Sequence, residues 1–180
     1  LLLAPLLAVG SPTPYLRALS WLEAAEALAG PAADQVTFKN GSAFVFQPLP
    51  PEAIALLVSQ MAVAPAPANL ISFFALGGAI SQPAPGASAF PHRQALYDLQ
   101  IQAYWQEAWQ EAGNVAWVNG FRQALAPYTR GAYVNYIDAD QPDWASAYYG
   151  SNLNRLMRVK ARYDPDHVFD APQSIPTIRR

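Results

Sequence analysis

Two stretches carry side chains that can exchange protons or bind hydroxyl groups. Asp98, Gln100, Gln102 and Tyr104 recur at every second position, and Tyr133, Asn135 and Tyr136 cluster about thirty residues on. A carboxylate accepts a proton only from a group within hydrogen-bond reach. A phenol, with an ordinary pKa near about 10, is a poor base at neutral pH without a neighbour's help. The amides of Gln100 and Gln102 both donate and accept, which suits the hydroxyls of a sugar. His92 and His167 stand far apart and in no metal-ligand spacing. The chain has no cysteine, which excludes thiolate chemistry and disulfides.

These residues must be positioned by strands. Ala95 to Trp105 alternates strictly: Tyr97, Leu99, Ile101, Ala103 and Trp105 face one way, and Leu96, Asp98, Gln100, Gln102 and Tyr104 the other. The first face belongs in a core. The second is a row of hydrogen-bonding groups, although an ordinary solvated sheet face has the same pattern. Tyr133 to Ile137 is short, aromatic and β-branched and follows a turn at Arg130-Gly131, so it is predicted as a strand. That would put Tyr133 and Asn135 on one face and Val134 and Tyr136 on the other.

Around these, Tyr15 to Ala29 is predicted as a helix, stopped by Gly30-Pro31. Val36–Phe38 and Ala43–Phe46 are predicted as two short strands joined at Asn40-Gly41, a hairpin signal. Ile54, Leu57, Val58 and Met61 form a helical stripe expected to pack on the sheet. Asn69 to Leu76 is a nearly continuous apolar run that fits a buried strand, closed by Gly77-Gly78. Trp117, Phe121 and Leu125 mark a helix over Asn114–Ala126 that Pro127 ends. Helices near Trp144–Tyr149 and from Leu153 to Lys160 follow, with Asp164-Pro165 as a stop. Strands with interspersed helices and no regular βαβ alternation point to an α+β fold, an antiparallel sheet with helices on one face.

The 180 residues suffice for a real core. Only 13% are charged against 52% hydrophobic, which implies either much hidden surface or a partner. A net charge of −2 offers no attraction to nucleic acid or to an anionic membrane. Leu1 to Val9 is apolar but interrupted by Pro5, too short for a membrane span and without the layout of a signal peptide. A start without methionine suggests a chain that has been cut or whose beginning is missing.

The order Tyr133-Val134-Asn135-Tyr136, Trp144, Tyr148-Tyr149-Gly150, Asn152, Arg155-Leu156, Val159-Lys160, Tyr163-Asp164-Pro165 and Gln173-Ser174-Ile175-Pro176 resembles the C-terminal segment of the berberine-bridge-enzyme-like family of FAD-linked oxidases. Ala89-Phe90-Pro91-His92-Arg93 extends the resemblance upstream, and Gly77-Gly78-Ala79 does so more weakly. The resemblance implies a substrate-binding portion over residues 1–130 and a returning segment over 131–180. It also implies a partner, the flavin-binding domain or chain of the same enzyme, which this stretch lacks and which would hold most of the FAD. The implied reaction is oxidation of an alcohol on a small-molecule substrate by hydride transfer to flavin.

By the same resemblance, the base role falls on Tyr136, the second tyrosine of Tyr-x-Asn-Tyr. Asp98 stands where related enzymes that oxidise alkaloids and cannabinoids carry a glutamate base, one methylene longer. Asp98 either takes the proton itself or polarises the Tyr136 phenol. Asn135 and Tyr133 are expected against the flavin, and Gln100, Gln102 and Tyr104 against a sugar substrate. His92 and Arg93 are expected to fix a turn, and Asn152, Asn154 and Arg155 to tie the last helices to the flavin-binding part. An aromatic or alkaloid-like substrate is the alternative, as is a non-catalytic interaction subunit. The family is often secreted, which sets the default compartment.

Overall fold

The computed structural model describes residues 4, 8, 17–29 and 36–177. The chain divides into two compact units, Leu1–Gln35 and Val36–Arg180. In the first, helix α1 runs over Trp21–Ala29. Its start is set by Ser20, whose amide and hydroxyl both donate to the Glu23 carboxylate while the Glu23 amide donates back to Ser20 Oγ. That reciprocal arrangement satisfies donors a helix start leaves unpaired. The helix therefore begins later than the predicted Tyr15, which lies outside the described residues.

The second unit is built on a three-stranded antiparallel sheet in the order β1-β3-β2, with β1 at Thr37–Val45, β2 at Leu70–Ala75 and β3 at Tyr97–Trp105. The central strand is the one with strict alternation. Its Leu99, Ile101, Ala103 and Trp105 join Val45, Leu57, Trp117, Val118, Phe121 and Leu125 in one buried core. Helices α2 (Pro51–Ala62) and α3 (Glu111–Leu125) supply the other side of that core. The α+β arrangement with helices on one face is the one the alternation requires.

Several local expectations are corrected. Asn40-Gly41 is no hairpin: β1 runs straight through it, pairing Asn40 with Gln102 and Gly41 with Ile101. Glycine stands there because α3 comes close; an added Cβ would lie 3.0 Å from Val118 Cγ1. The Asn69–Leu76 run does form a strand, but at the sheet edge, with Leu70, Phe73 and Phe74 at 39%, 53% and 46% exposure rather than buried. In α2 the buried positions are Ala53 and Leu57, whereas Ile54 and Val58 of the expected stripe face outward. The helix packs alongside α3, where Trp117 Nε1 donates to the Gln60 carbonyl, and that neighbour sets which face is buried.

Residues 132–137 do not form a strand. Only Arg130 bridges to β1, at Phe44. Beyond it the Tyr133 amide donates to the Ser42 hydroxyl instead of to a backbone carbonyl, and the Tyr136 amide donates to the Tyr133 carbonyl at 3.0 Å, closing a turn. With no neighbouring strand to receive its amides, a β-prone sequence takes the local bond. Helix α4 (Trp144–Tyr149) and helix α5 (Leu153–Tyr163) follow. Ala132, Tyr148 and Tyr149 form a second small core with Val134, Trp144, Leu156 and Ile175 packed around it.

Candidate functional site

The sheet face away from the helices carries the site. On β3 this face presents Asp98, Gln100, Gln102 and Tyr104. By register, Asp98 lies between Phe44 of β1 and Phe74 of β2, and Gln100 lies between Ser42 and Ser72. The row is buried rather than solvated: Asp98 is 4% exposed, Gln100 8% and Gln102 7%.

The turn at 133–136 sits over the Asp98 end. Because it is a turn, Tyr133 and Tyr136 do not diverge as a strand would require. Their rings meet edge to face at 5.1 Å between centroids. Tyr133 also packs edge-on against Phe44 and Phe90, and Tyr136 packs on Phe74. The result is a cleft of about 520 Å³ lined mainly by aromatic and aliphatic side chains, with Asp98, Arg93 and Asn135 as its polar members. Tyr148 and Tyr149 complete the wall.

Asp98 is the unusual group. Its Oδ1 is buried without a hydrogen-bond partner. Burial pushes its pKa up from 3.8 to about 7, since the charged form loses hydration that nothing replaces. Tyr136 is also shifted up, which keeps it neutral: burial first, then the Asp98 and Tyr133 charges, hold its phenol protonated above its ordinary value. Asn135 is exposed at the rim and donates from Nδ2 to the Tyr133 hydroxyl at 2.8 Å.

The other predicted residues lie farther along the face. Gln102 donates to Ser72 Oγ and accepts from the Tyr104 hydroxyl, both at 2.8 Å, and neither lines the Asp98 cleft. Gln100 is adjacent to Asp98 on the same face, about 7 Å along the strand, but is likewise not in the wall. His92 is structural in placement: its ring stacks on Phe44 at 4.1 Å, and burial holds it below its ordinary pKa. Gly131, at φ +69°, leaves it room.

One wall is the loop that leaves β2 at Gly77 and Gly78, both at positive φ, and contributes Ile80, Ala89 and Phe90. Arg93 pins it by donating to the Ile80 carbonyl and to Ser88 Oγ. Asn152 donates to the Pro85 and Ser88 carbonyls, and Arg155 to the Gly86 carbonyl. Asn152 and Arg155 are thus engaged with this loop. Phe44, Phe74 and Tyr148 also line the site; in the sequence only their strand and motif positions signal them.

The family model described as "Berberine and berberine like" matches residues 132–176. Over 99% of its length the chain is 36% identical to YgaK, an FAD-linked oxidoreductase of Bacillus subtilis (strain 168), covering 40% of that protein. It is 34% identical to hexose oxidase of Chondrus crispus over 56% of this chain and 23% of that one. The solved structure of berberine bridge enzyme-like 28 from Arabidopsis thaliana superposes with a TM-score of 0.79 at 29% identity, covering 89% of this chain and 40% of that one. The chain spans about two fifths of the length of the first curated relatives it matches. On its motif order, its fold and these matches, the chain belongs to the berberine-bridge-enzyme-like family of FAD-linked oxidoreductases.

Proposed function

We propose that this chain forms the substrate side of an FAD-linked oxidoreductase that oxidises an alcohol, with Asp98 as the base. The supporting observation is a buried, unpartnered carboxylate with a pKa of about 7 at the floor of an aromatic cleft. A base poised near the working pH is half-ionised there and still strong enough to take a hydroxyl proton. The residues present fit a planar ring system: the Tyr133–Tyr136 turn offers an aromatic surface, and the exposed Asn135 amide offers a donor and an acceptor at its rim. Asn135 and Tyr133 would contact the flavin, and a flavin-binding portion, in the same or a separate chain, would hold the rest of the FAD. When bound, FAD supplies the acceptor for the hydride.

In this reading the substrate hydroxyl lies against Asp98, whose carboxylate takes its proton. Tyr136, held neutral, donates its phenol proton in a hydrogen bond to the same oxygen and fixes its direction. Phe44 and Phe74 flank the carboxylate and exclude water, which keeps it a usable base. A sugar is the first candidate substrate, supported by the hexose oxidase relative. The mainly apolar and aromatic wall supports a second candidate, a hydroxylated aromatic compound.

The test is the FAD-loaded enzyme carrying Asp98→Asn, assayed from pH 5 to 9 on glucose, cellobiose and an aryl alcohol. Wild-type kcat/KM should climb through a limb near pH 7. The variant should lose that limb and about 10²–10⁴-fold in rate. A retained limb would move the base elsewhere.

A further inference from the structure

We propose that Tyr148 and Gln173 are positioning residues for Tyr136, acting through the backbone of Asp138. The inference rests on the role given to Tyr136 above. Asp138 lies two residues past Tyr136 and has both of its backbone polar groups captured. Its amide donates to the Tyr148 hydroxyl at 3.0 Å, and its carbonyl accepts from Gln173 Nε2 at 2.7 Å. Tyr148 in turn donates to Gln173 Oε1 at 3.0 Å, so the three residues close a ring of hydrogen bonds.

The direction of each bond in that ring is fixed by chemistry, and the Asp138 carbonyl accepts a further bond from the Gln141 amide at 3.0 Å. A phenol accepts one hydrogen bond and donates one, and an amide side chain does the same from its two ends. The ring is also largely dry. Tyr148 is 2% exposed and Asp138 3%. The Asp138 carboxylate is anchored separately, by Lys39 of β1, with Arg122 of α3 at 3.8 Å. The turn bearing Tyr136 therefore has one end on Ser42, through the Tyr133 amide, and the other on Asp138. Between those anchors only the local bond from the Tyr136 amide to the Tyr133 carbonyl holds the backbone.

Removing the Tyr148 hydroxyl leaves the buried Asp138 amide and the half-buried Gln173 Oε1 without these partners, and the far anchor of the turn loosens. A phenol that must meet a substrate oxygen within a few tenths of an ångström loses rate when its support moves. Tyr148 also lines the cleft, so a loss on its own would not separate positioning from direct contact. Gln173 lies outside the wall and separates the two.

The experiment is a double-mutant cycle in the FAD-loaded enzyme, crossing Tyr148→Phe and Gln173→Leu each with Tyr136→Phe. Deuterium exchange is followed in parallel on peptides covering 132–140. Each single variant should lower kcat about tenfold with KM changed less than about twofold, and should speed exchange in 132–140. On the Tyr136→Phe background either change should cost less than about twofold, because there is no phenol left to misplace. Equal losses in both backgrounds, or unchanged exchange, would overturn this inference alone. A Tyr136→Phe enzyme of wild-type rate would instead refute the role given to the phenol, and this inference would fall with it.

Discussion

Asp98→Asn should separate stability from activity, raising one while removing the other. In the folded chain the Asp98 carboxyl titrates at about 7, against 3.8 for an unhindered aspartate. The fold therefore holds a proton that the unfolded chain releases. Stability from this site is complete below about pH 3.8, declines as pH rises, and is lost once pH passes about 7. A shift of that size corresponds to about 4 kcal/mol. The cleft is open on one side, and solvent screening reduces the usable figure to about 2 kcal/mol. Asparagine has nearly the same shape and no charge to bury, so the variant avoids the loss. Its advantage over wild type should be near zero at pH 4 and about 2 kcal/mol at pH 8. For a unit of this size that is a rise in Tm of about 4–8 °C at pH 8. Calorimetric melts of both proteins at the two pH values read it directly. An equal Tm difference at pH 4 and pH 8 would refute the claim that Asp98 is ionised against its burial, and with it the case for a tuned base.

Tyr136→Phe should lower kcat/KM at least tenfold while the ring packing on Phe74 keeps Tm within about 2 °C, both read on the same preparation. Gly131→Ala should destabilise by about 2–4 kcal/mol in denaturant melts, because φ there is +69° and the new Cβ would fall 2.5 Å from His92 Cε1. Gln100→Leu should leave KM within about twofold, because Gln100 lies outside the cleft wall; a larger rise would extend the substrate site along β3.

The parts of this molecule that sequence makes legible are those whose environment is set by the chain's own alternation. β3 is central and flanked on both edges, so its two faces could be assigned residue by residue. Where a second element decides, the same signals mislead. Asn40-Gly41 looks like a turn, but the glycine answers to Val118 on a helix more than seventy residues away. The Leu70–Ala75 strand is apolar enough for a centre and lies at an edge. Residues 133–137 have strand composition and no strand to pair with, so the Ser42 hydroxyl takes the Tyr133 amide and a local turn takes the Tyr136 amide. The nearness of Asp98 to Tyr136 follows from no spacing; only the family resemblance brought them together before the structure did. That Asp98 is buried among aromatic rings, and so chemically tuned, reflects the turn laid over its end of the face.

The manner in which that turn is anchored also fixes when it can form. Its supports are Ser42, ninety-one positions upstream of Tyr133, and Gln173, thirty-five positions beyond Asp138. Neither can act until β1 has paired with β3 and the segment after α5 has come back. Contacts between such distant positions carry the full loop-closure entropy and come late in assembly. The sheet and its helical core can thus be native while the cleft is still open chain. During refolding, protection of the β3 amides should precede protection of 132–138, and binding competence should appear with the slower phase.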